Sequence, residues 1–301
     1  MLTDRSGVPF PPVRRLGPED LGHCVALSLD RGWAPEKAKW ALLLEAAEAF
    51  GIDAPHDAPS GGLAGCVVLA RYGPDLASVG MMLVAARYGR RGLGRALMEH
   101  LLAAADGATV TLFATELGRP LYEKLGFRAI RRNVAFVGTF RPERGGADPA
   151  RPPARLAMEA DLPAILDIDK AAFGADRSRL LLRLPGFAEQ LRVLEAGSGA
   201  GSGAGSVVTG YAAAWRTESV TVIGPVVAPD GAAARQLITA LAIHARGQVR
   251  LDLDPDRPEL PRWAFARGLQ PVSRNAVMAY GDWRPRGEPD RLFTPFSVAL
   301  A

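Results

Sequence analysis

The densest group of residues able to do chemistry reads Val84-Ala85-Ala86-Arg87-Tyr88-Gly89-Arg90-Arg91-Gly92-Leu93-Gly94-Arg95-Ala96-Leu97. An apolar strand-like run enters a glycine-containing turn, and helical spacing follows. At a helix start the first backbone N–H groups lack intrahelical acceptors, and the dipole is positive there. Gly92 and Gly94 let a bulky anion approach the backbone closely. Arg90, Arg91 and Arg95 add guanidinium groups for charge-assisted hydrogen bonds. Such a site suits a pyrophosphate. A Walker loop would need Lys-Ser or Lys-Thr where Arg95-Ala96 stands, and a dinucleotide fingerprint would need a small residue at Leu97. Neither fits, which leaves another anion or a plain glycine turn.

A second group follows as Arg119-Pro120-Leu121-Tyr122-Glu123-Lys124-Leu125-Gly126-Phe127. It reads as a short helix stopped by Gly126 in a left-handed cap, with Phe127 anchoring the next strand. By itself Tyr122 reads as a half-buried aromatic with a satisfied hydroxyl. The first segment resembles the acetyl-CoA loop of the GNAT superfamily of N-acetyltransferases through Val84, Tyr88, Gly92, Gly94 and Leu97. Ala86, Gly89 and Arg90 depart from that pattern. The second resembles the family's Leu-Tyr-Glu-Lys-Leu-Gly-Phe signature at every position. The resemblance implies that main-chain groups from Arg91 through Gly92, Leu93, Gly94 and Arg95 to Ala96 hold the pyrophosphate, with Arg90 supplying charge. It implies that Met82, Leu83 and Val84 pair with the pantetheine arm, and that backbone N–H groups near Val84 polarise the thioester carbonyl. It also implies that Tyr122 protonates the departing thiolate. Reference pKa values of about 10 for tyrosine and about 8.5 for a thiol suit that transfer.

The attacking amine must lose a proton. Candidate bases are Glu36, Glu45, His56, Asp75, His100 and Glu116. Glu116, just past an expected strand ending at Thr115, stands near where the resemblance implies that the site opens, although it also reads as a solvated surface carboxylate. His100 lies between Leu97 and Leu101 on an apolar helix face and reads as structural.

The elements that must position these residues follow from periodicity. Helices are expected over Pro18 to Leu29, Pro35 to Phe50, Gly94 to Ala105 and Gly118 to Leu125. Strands are expected over Leu63 to Arg71, Val79 to Ala86, Thr109 to Thr115 and Ala129 to Phe140. The second half echoes this order from Glu159 to Tyr280. Such an alternation predicts the α/β class, here an α+β mixed sheet that is mostly antiparallel and flanked by helices, built twice in tandem. Residues 141–153, rich in Pro, Gly and charge, read as a linker between a domain at 1–140 and one at 154–301. Gly197 to Ser206 (GSGAGSGAGS) reads as a lengthened hairpin loop.

A chain of 301 residues exceeds what one core usually organises, which agrees with two domains. No apolar run is long enough to span a bilayer, no signal pattern opens the chain, and a cytoplasmic location with no membrane association is expected. Cys24 and Cys66 are too few for a disulfide framework or a cysteine-rich zinc site; they read as small buried hydrophobes, and no metal is expected. The net charge of +4 comes from scattered arginines without interleaved aromatics, so no nucleic-acid partner is expected.

The second half lacks the glycine loop: Ile223-Gly224-Pro225-Val226-Val227-Ala228-Pro229-Asp230-Gly231 stands there, and its prolines remove backbone donors. Ala172-Phe173-Gly174-Ala175-Asp176-Arg177, the Ile223-Gly224-Pro225 segment and Val249-Arg250-Leu251-Asp252-Leu253 leading to Gly268 resemble the divergent C-terminal domain of a bacterial tandem GNAT group. The Asp176-Arg177 pair reads either as a salt bridge at a helix start or as a substrate contact. The resemblance implies transfer of an acetyl group from acetyl-CoA to a primary amine of a small molecule or peptide. Two alternatives stay open. One is an acyltransferase of the mycothiol synthase kind, in which the second domain carries the active loop. The other is a non-catalytic acyl-CoA sensor or interaction module. Nothing in the sequence names the acceptor or sets an oligomeric state.

Overall fold

The structure is a computed structural model and describes residues 2–4, 7–55, 62–143, 153–196 and 207–300. Most of the expected linker, the Gly197 to Ser206 stretch and the candidate base His56 lie outside the described residues. Contacts divide the chain into two compact units. One comprises residues 1–129 with Met278–Trp283 and Leu300; the other comprises Ile130–Val277 with Arg284–Ala299.

In the first unit the chain forms β1 (Arg14–Leu16), α1 (Leu21–Asp30), α2 (Lys37–Ala46), β2 (Glu48–Asp53), β3 (Leu63–Arg71), β4 (Leu76–Val84), α3 (Leu93–Ala104), β5 (Thr109–Ala114) and α4 (Arg119–Lys124). Strands β1 to β5 lie side by side in that order. All neighbours are antiparallel except β4 and β5, which are parallel. Successive residues of a strand face opposite ways. Gly65 of β3 lies against Leu97 of α3, while Cys66 meets Cys24 of α1. The helices α1 and α3 therefore cover opposite faces. Both thiols are buried, and the Cys24 contact, followed by burial, pushes the Cys66 thiol up. Trp40 ties α2 to α1: its indole N–H donates to Ser28 Oγ at 2.9 Å, in a fully buried site.

The helix expected over Pro35 to Phe50 is shorter, and Glu48 to Asp53 are strand instead. Ala, Glu and Phe at this point continue a helical composition. Hydrogen-bonded ladders to β1 on one side and β3 on the other hold them extended.

The second unit begins within β6 (Arg128–Gly138), from Ile130 onward, and continues through β7 (Arg155–Leu156), α5 (Leu162–Phe173), α6 (Ser178–Leu181), α7 (Leu184–Phe187), β8 (Gln190–Ala196) and β9 (Val207–Arg216). It then forms β10 (Val220–Val227), α8 (Gly231–Ala242), β11 (Gln248–Leu253), α9 (Glu259–Ala266), β12 (Gln270–Tyr280) and β13 (Leu292–Thr294). The residues of β12 from Met278 onward are counted with the first unit. From one edge the order is β7, β8, β9, β10, β11, β6, with β13 also on β10. Again a single neighbouring pair, β10 with β11, is parallel. α8 buries Ala233, Ala234, Leu237, Ile238 and Leu241 in a core with Ile223, Val226 and Leu251. Strands β8 and β9 flank residues 197–206 as an antiparallel pair with Ala196 opposite Val207, which is the hairpin arrangement the sequence suggests.

The two units repeat an ion network. Arg14 binds Asp20 six residues on, and also Asp53 of β2. Arg155 binds Asp161 six residues on, and also Glu195 of β8. Each aspartate additionally accepts a backbone N–H three residues before it, from Gly17 and Met158. The paired Arg-to-Asp spacing is readable in the sequence as a sign of duplication.

Arg177 does not pair with Asp176. It is buried and binds Asp169 through both carboxylate oxygens, at 2.6 and 3.0 Å. The Tyr211 hydroxyl also donates to Asp169, at 2.5 Å, and the Arg177 guanidinium lies over the Phe173 ring. Asp176 accepts the Ser178 N–H instead. Arg177 thus forms a salt bridge, but with Asp169 rather than with its neighbour Asp176. A helical stretch of α5 brings Asp169 back to the residue that adjacency would have assigned to Asp176.

Candidate active site

Strand β4 pairs with β5 only from Leu76, opposite Thr109, to Val79, opposite Leu112. β4 then runs on to Val84 with no strand of the described residues on that edge. On its other edge, Cys66 faces Leu83 and Val68 faces Gly80, so Met81 and Met82 together oppose Val67. This is a β-bulge, which re-aims backbone groups and bends the strand. Met81 sits at φ +49° there, and its carbonyl accepts the Cys66 thiol at 3.5 Å. Met82, Leu83 and Val84 thus lie on a strand edge open to an extended ligand bearing amides.

Past β4, the Ala86 N–H donates to Asp30 Oδ2 at 2.6 Å, and a 3-10 turn covers Ala86–Tyr88. Tyr88 is buried edge-on against Phe10, 5.1 Å between ring centres. Arg90 and Gly92 take left-handed backbone at φ +59° and +83°. Gly92 is the N-cap of α3 and provides no side-chain cap. The first helical bond runs from the Ala96 N–H to the Gly92 carbonyl at 2.9 Å, so the N–H groups of Leu93, Gly94 and Arg95 point out of the helix end. Arg95 is engaged with Glu99 at 2.7 Å on the exposed face of α3. Arg90 is exposed, and the buried Arg91 Nε has no partner among the described residues.

Gly94 joins these parts. A methyl group there would sit 2.9 Å from Met82 Cε of β4 and 3.3 Å from Leu121 Cδ2 of α4. Absence of a side chain therefore lets the start of α3, the bulged strand and α4 meet. Tyr122 is next to Leu121, 8% exposed, with its ring edge-on to Phe127 at 5.8 Å. A methyl group at Gly118 would lie 3.2 Å from Tyr122 Cε2 and 3.7 Å from its hydroxyl. The hydroxyl therefore sits at the turn following β5, beyond the point where β4 and β5 part. Burial pushes the hydroxyl up to about 12. This widens the gap to a thiol in water, so the proton moves readily only to a thiolate sharing the same dry surroundings.

Glu116 lies exposed in the turn between β5 and α4. The remaining candidate bases are placed elsewhere. Glu36 pairs with Lys39 at 2.7 Å, and His100 stacks edge-on with Phe50 at 4.8 Å. The Asp75 carbonyl accepts the Thr109 N–H at the far end of β4, and Glu45 lies on α2. The bulge at Met81 and Met82 and the parting of β4 from β5 escaped sequence reasoning. Met81-Met82 carries no bulge signature, and pairing depends on partners far along the chain. Among the described residues, no group of three or more His, Cys, Asp or Glu is placed to hold a metal ion, and no helix is long and apolar enough to cross a membrane.

Comparison with known proteins agrees with this geometry. Residues 53–129 and residues 165–294 each match a family described as Acetyltransferase (GNAT) domain. The chain is 29% identical over 271 residues to the uncharacterized N-acetyltransferase YitH of Bacillus subtilis (strain 168), covering 88% of this chain and 90% of that protein. Its fold is similar to that of a protein from Pyrococcus horikoshii named as a candidate acetyltransferase. The TM-score is 0.77 at 21% identity, covering 96% of this chain and 95% of that one. It is also similar to a tandem GNAT protein from the clavulanic acid biosynthesis pathway, with TM-score 0.61 at 14% identity, covering 92% of this chain and 100% of that one. With both halves matched and the bulged strand, open helix start and tyrosine helix gathered in the first, the chain belongs to the GNAT superfamily of acetyltransferases and is a tandem member of it.

Proposed function

We propose that the protein transfers an acetyl group from acetyl-CoA to a primary amine of a small-molecule or peptide acceptor, at the site built by β4, α3 and α4. The observation that carries this reading is the meeting of three features at Gly94: the open edge of β4, the uncapped start of α3 and the buried Tyr122 helix. Acetyl-CoA offers two amides, a pyrophosphate and a thioester, and the edge of β4, the start of α3 and the Tyr122 helix suit these groups in that order. Met82, Leu83 and Val84 pair with the amide-bearing arm. The N–H groups of Leu93, Gly94 and Arg95, flanked by Arg90, Arg91 and Gly92, surround the pyrophosphate, while the Ala96 N–H, bonded to the Gly92 carbonyl, does not serve it.

The amine nitrogen attacks the thioester carbonyl carbon, an oxyanion forms and collapses, and the C–S bond breaks. Backbone N–H groups near the end of β4 stabilise the oxyanion. Tyr122 gives its proton to the departing sulfur, and Glu116 takes the proton lost by the amine, directly or through water. The domain limits 1–140 and 154–301, joined through 141–153, belong to the same proposal, with the cofactor site in the first.

Acetyl-CoA is expected to raise the melting temperature of the full chain, because a ligand that binds only the folded state stabilises it by mass action. Gly94→Asp forces charge and bulk between Met82 and Leu121 where the open strand edge meets the helix start, Gly92→Asp alters the helix end itself, and each abolishes the shift. A folded Gly94→Asp protein whose shift equals that of the wild type contradicts the assignment.

A further inference from the structure

The second unit repeats the parting of strands and then closes it. β10 pairs with β11 from Val220 to Val222 and leaves it afterwards. On the β9 side, Gly224 and Pro225 together oppose Ala213, a bulge at the place corresponding to Met81 and Met82. Counting on from each bulge makes Val226 and Val227 the counterparts of Leu83 and Val84. These are the residues that β13 covers: Val226 lies opposite Thr294 and Val227 opposite Leu292. The Ala228 N–H then donates to the Arg291 carbonyl at 3.0 Å. The tail stays close beyond β13. A side chain at Gly224 would collide with the Pro295 carbonyl and come within 3.1 Å of that of Phe296. Phe296, 1% exposed, packs on Trp215 at 5.7 Å.

The following helix is altered in the same sense. The loop of the first unit, Ala85 to Gly92, is cut to Ala228-Pro229-Asp230, so no arginine precedes the helix. Asp230 is the N-cap of α8, and its Oδ1 accepts the Ala233 N–H at 2.8 Å. A carboxylate thus satisfies the helix end that Gly92 leaves open in the first unit. Gly126 and Gly268 both follow their helices with positive φ, +94° and +97°. Four residues before them stand Tyr122 and Ala264, so the hydroxyl has no counterpart.

We propose that residues Leu292 to Phe296 fill, in the second unit, the strand edge that the first unit leaves open to acyl-CoA, with Asp230 standing in for its pyrophosphate. The chain therefore takes one acyl-CoA and the second unit takes none. This inference rests on the reading of the first unit given above, and its experiment separates the two. Backbone hydrogen exchange on the full chain, read by peptide mass, follows the segments Gly80 to Val84 and Ile223 to Val227 with and without acetyl-CoA. In the free protein the β10 segment, laddered on both edges, is expected to exchange about tenfold or more slowly than the half-laddered β4 segment. Saturating acetyl-CoA slows the β4 segment and leaves β10 and Leu292 to Phe296 unchanged, with a calorimetric stoichiometry of one. A β10 segment exchanging as fast as β4 in the free protein, a change in Leu292 to Phe296 on adding acetyl-CoA, or a stoichiometry of two overturns the inference. If acetyl-CoA alters neither segment while β10 is already protected, the filled edge stands and the reading of the first unit falls.

Discussion

The proposed acetyl transfer turns on Tyr122. Its hydroxyl is held neutral by burial, with its pKa pushed up to about 12. Tyr122→Phe keeps the ring packed on Phe127 and removes the proton. The rate of the chemical step in single turnover is expected to fall roughly 10²–10⁴-fold with the acetyl-CoA dissociation constant nearly unchanged. Unaltered single-turnover rates would make Tyr122 a packing residue. Because the folded value lies above the unfolded one of about 10, the hydroxyl keeps its proton through the alkaline range where enzymes are assayed. The pH–rate profile should therefore show no loss attributable to Tyr122 between about pH 8 and pH 10. Over the interval from about 10 to about 12 the unfolded chain ionises first, so stability falls there as pH rises. Tyr122 was legible in the sequence because its helix carries an unbroken signature. The tilt of its environment was not, since burial against Phe127 and Gly118 is a property of packing.

The elements divide in the same way. α3 and β5 fall within a residue of where periodicity puts them, because Leu97, Leu101 and the alternation after Thr109 are local signals. Glu48 to Phe50, the first half of β2, read as helix in the sequence, since only the ladders to β1 and β3 make them strand. β13 has too few residues for any period to show. The turns after β1 and β7 are held by Asp20 and Asp161, whose carboxyls lie below the usual range chiefly because of hydrogen bonds from Arg14 and Arg155. A depressed folded value gives stability that is full above the unfolded pKa of about 3.9 and is lost as pH falls through the folded one. Asp20→Asn and Asp161→Asn are each expected to cost about 1–2 kcal/mol at pH 7, a modest figure because the Arg14 and Arg155 side chains are 38% and 31% exposed. Each variant should lose less stability than the wild type on acidification from pH 5 to pH 2; urea melts at several pH values check both points. The Asp169, Arg177 and Tyr211 cluster is sealed from water. Arg177→Ala leaves a buried carboxylate without its cation and is expected to cost about 3–5 kcal/mol in chemical denaturation. A loss under about 1 kcal/mol would mean that water reaches Asp169 once the guanidinium is gone.

At the scale of the molecule, one chain carries two versions of one fold that have diverged at the same points. The first keeps an open strand edge, a glycine-led helix and a tyrosine. The second has a strand on that edge, an aspartate cap and Ala264. The tandem order was readable because helix and strand periods recur, and the missing glycine loop marked the second half as divergent. That its tail lies on its own β10 was beyond the sequence, because the contact joins Val226 to Thr294 through a three-residue strand. Acetyl transfer at the first unit is tested by supplying the full chain with acetyl-CoA labelled in the acetyl group and a pool of metabolite and peptide amines. Transfer at that site gives labelled amide product with the wild type and none above background with a folded Gly94→Asp protein. Equal labelling by the two proteins would contradict it.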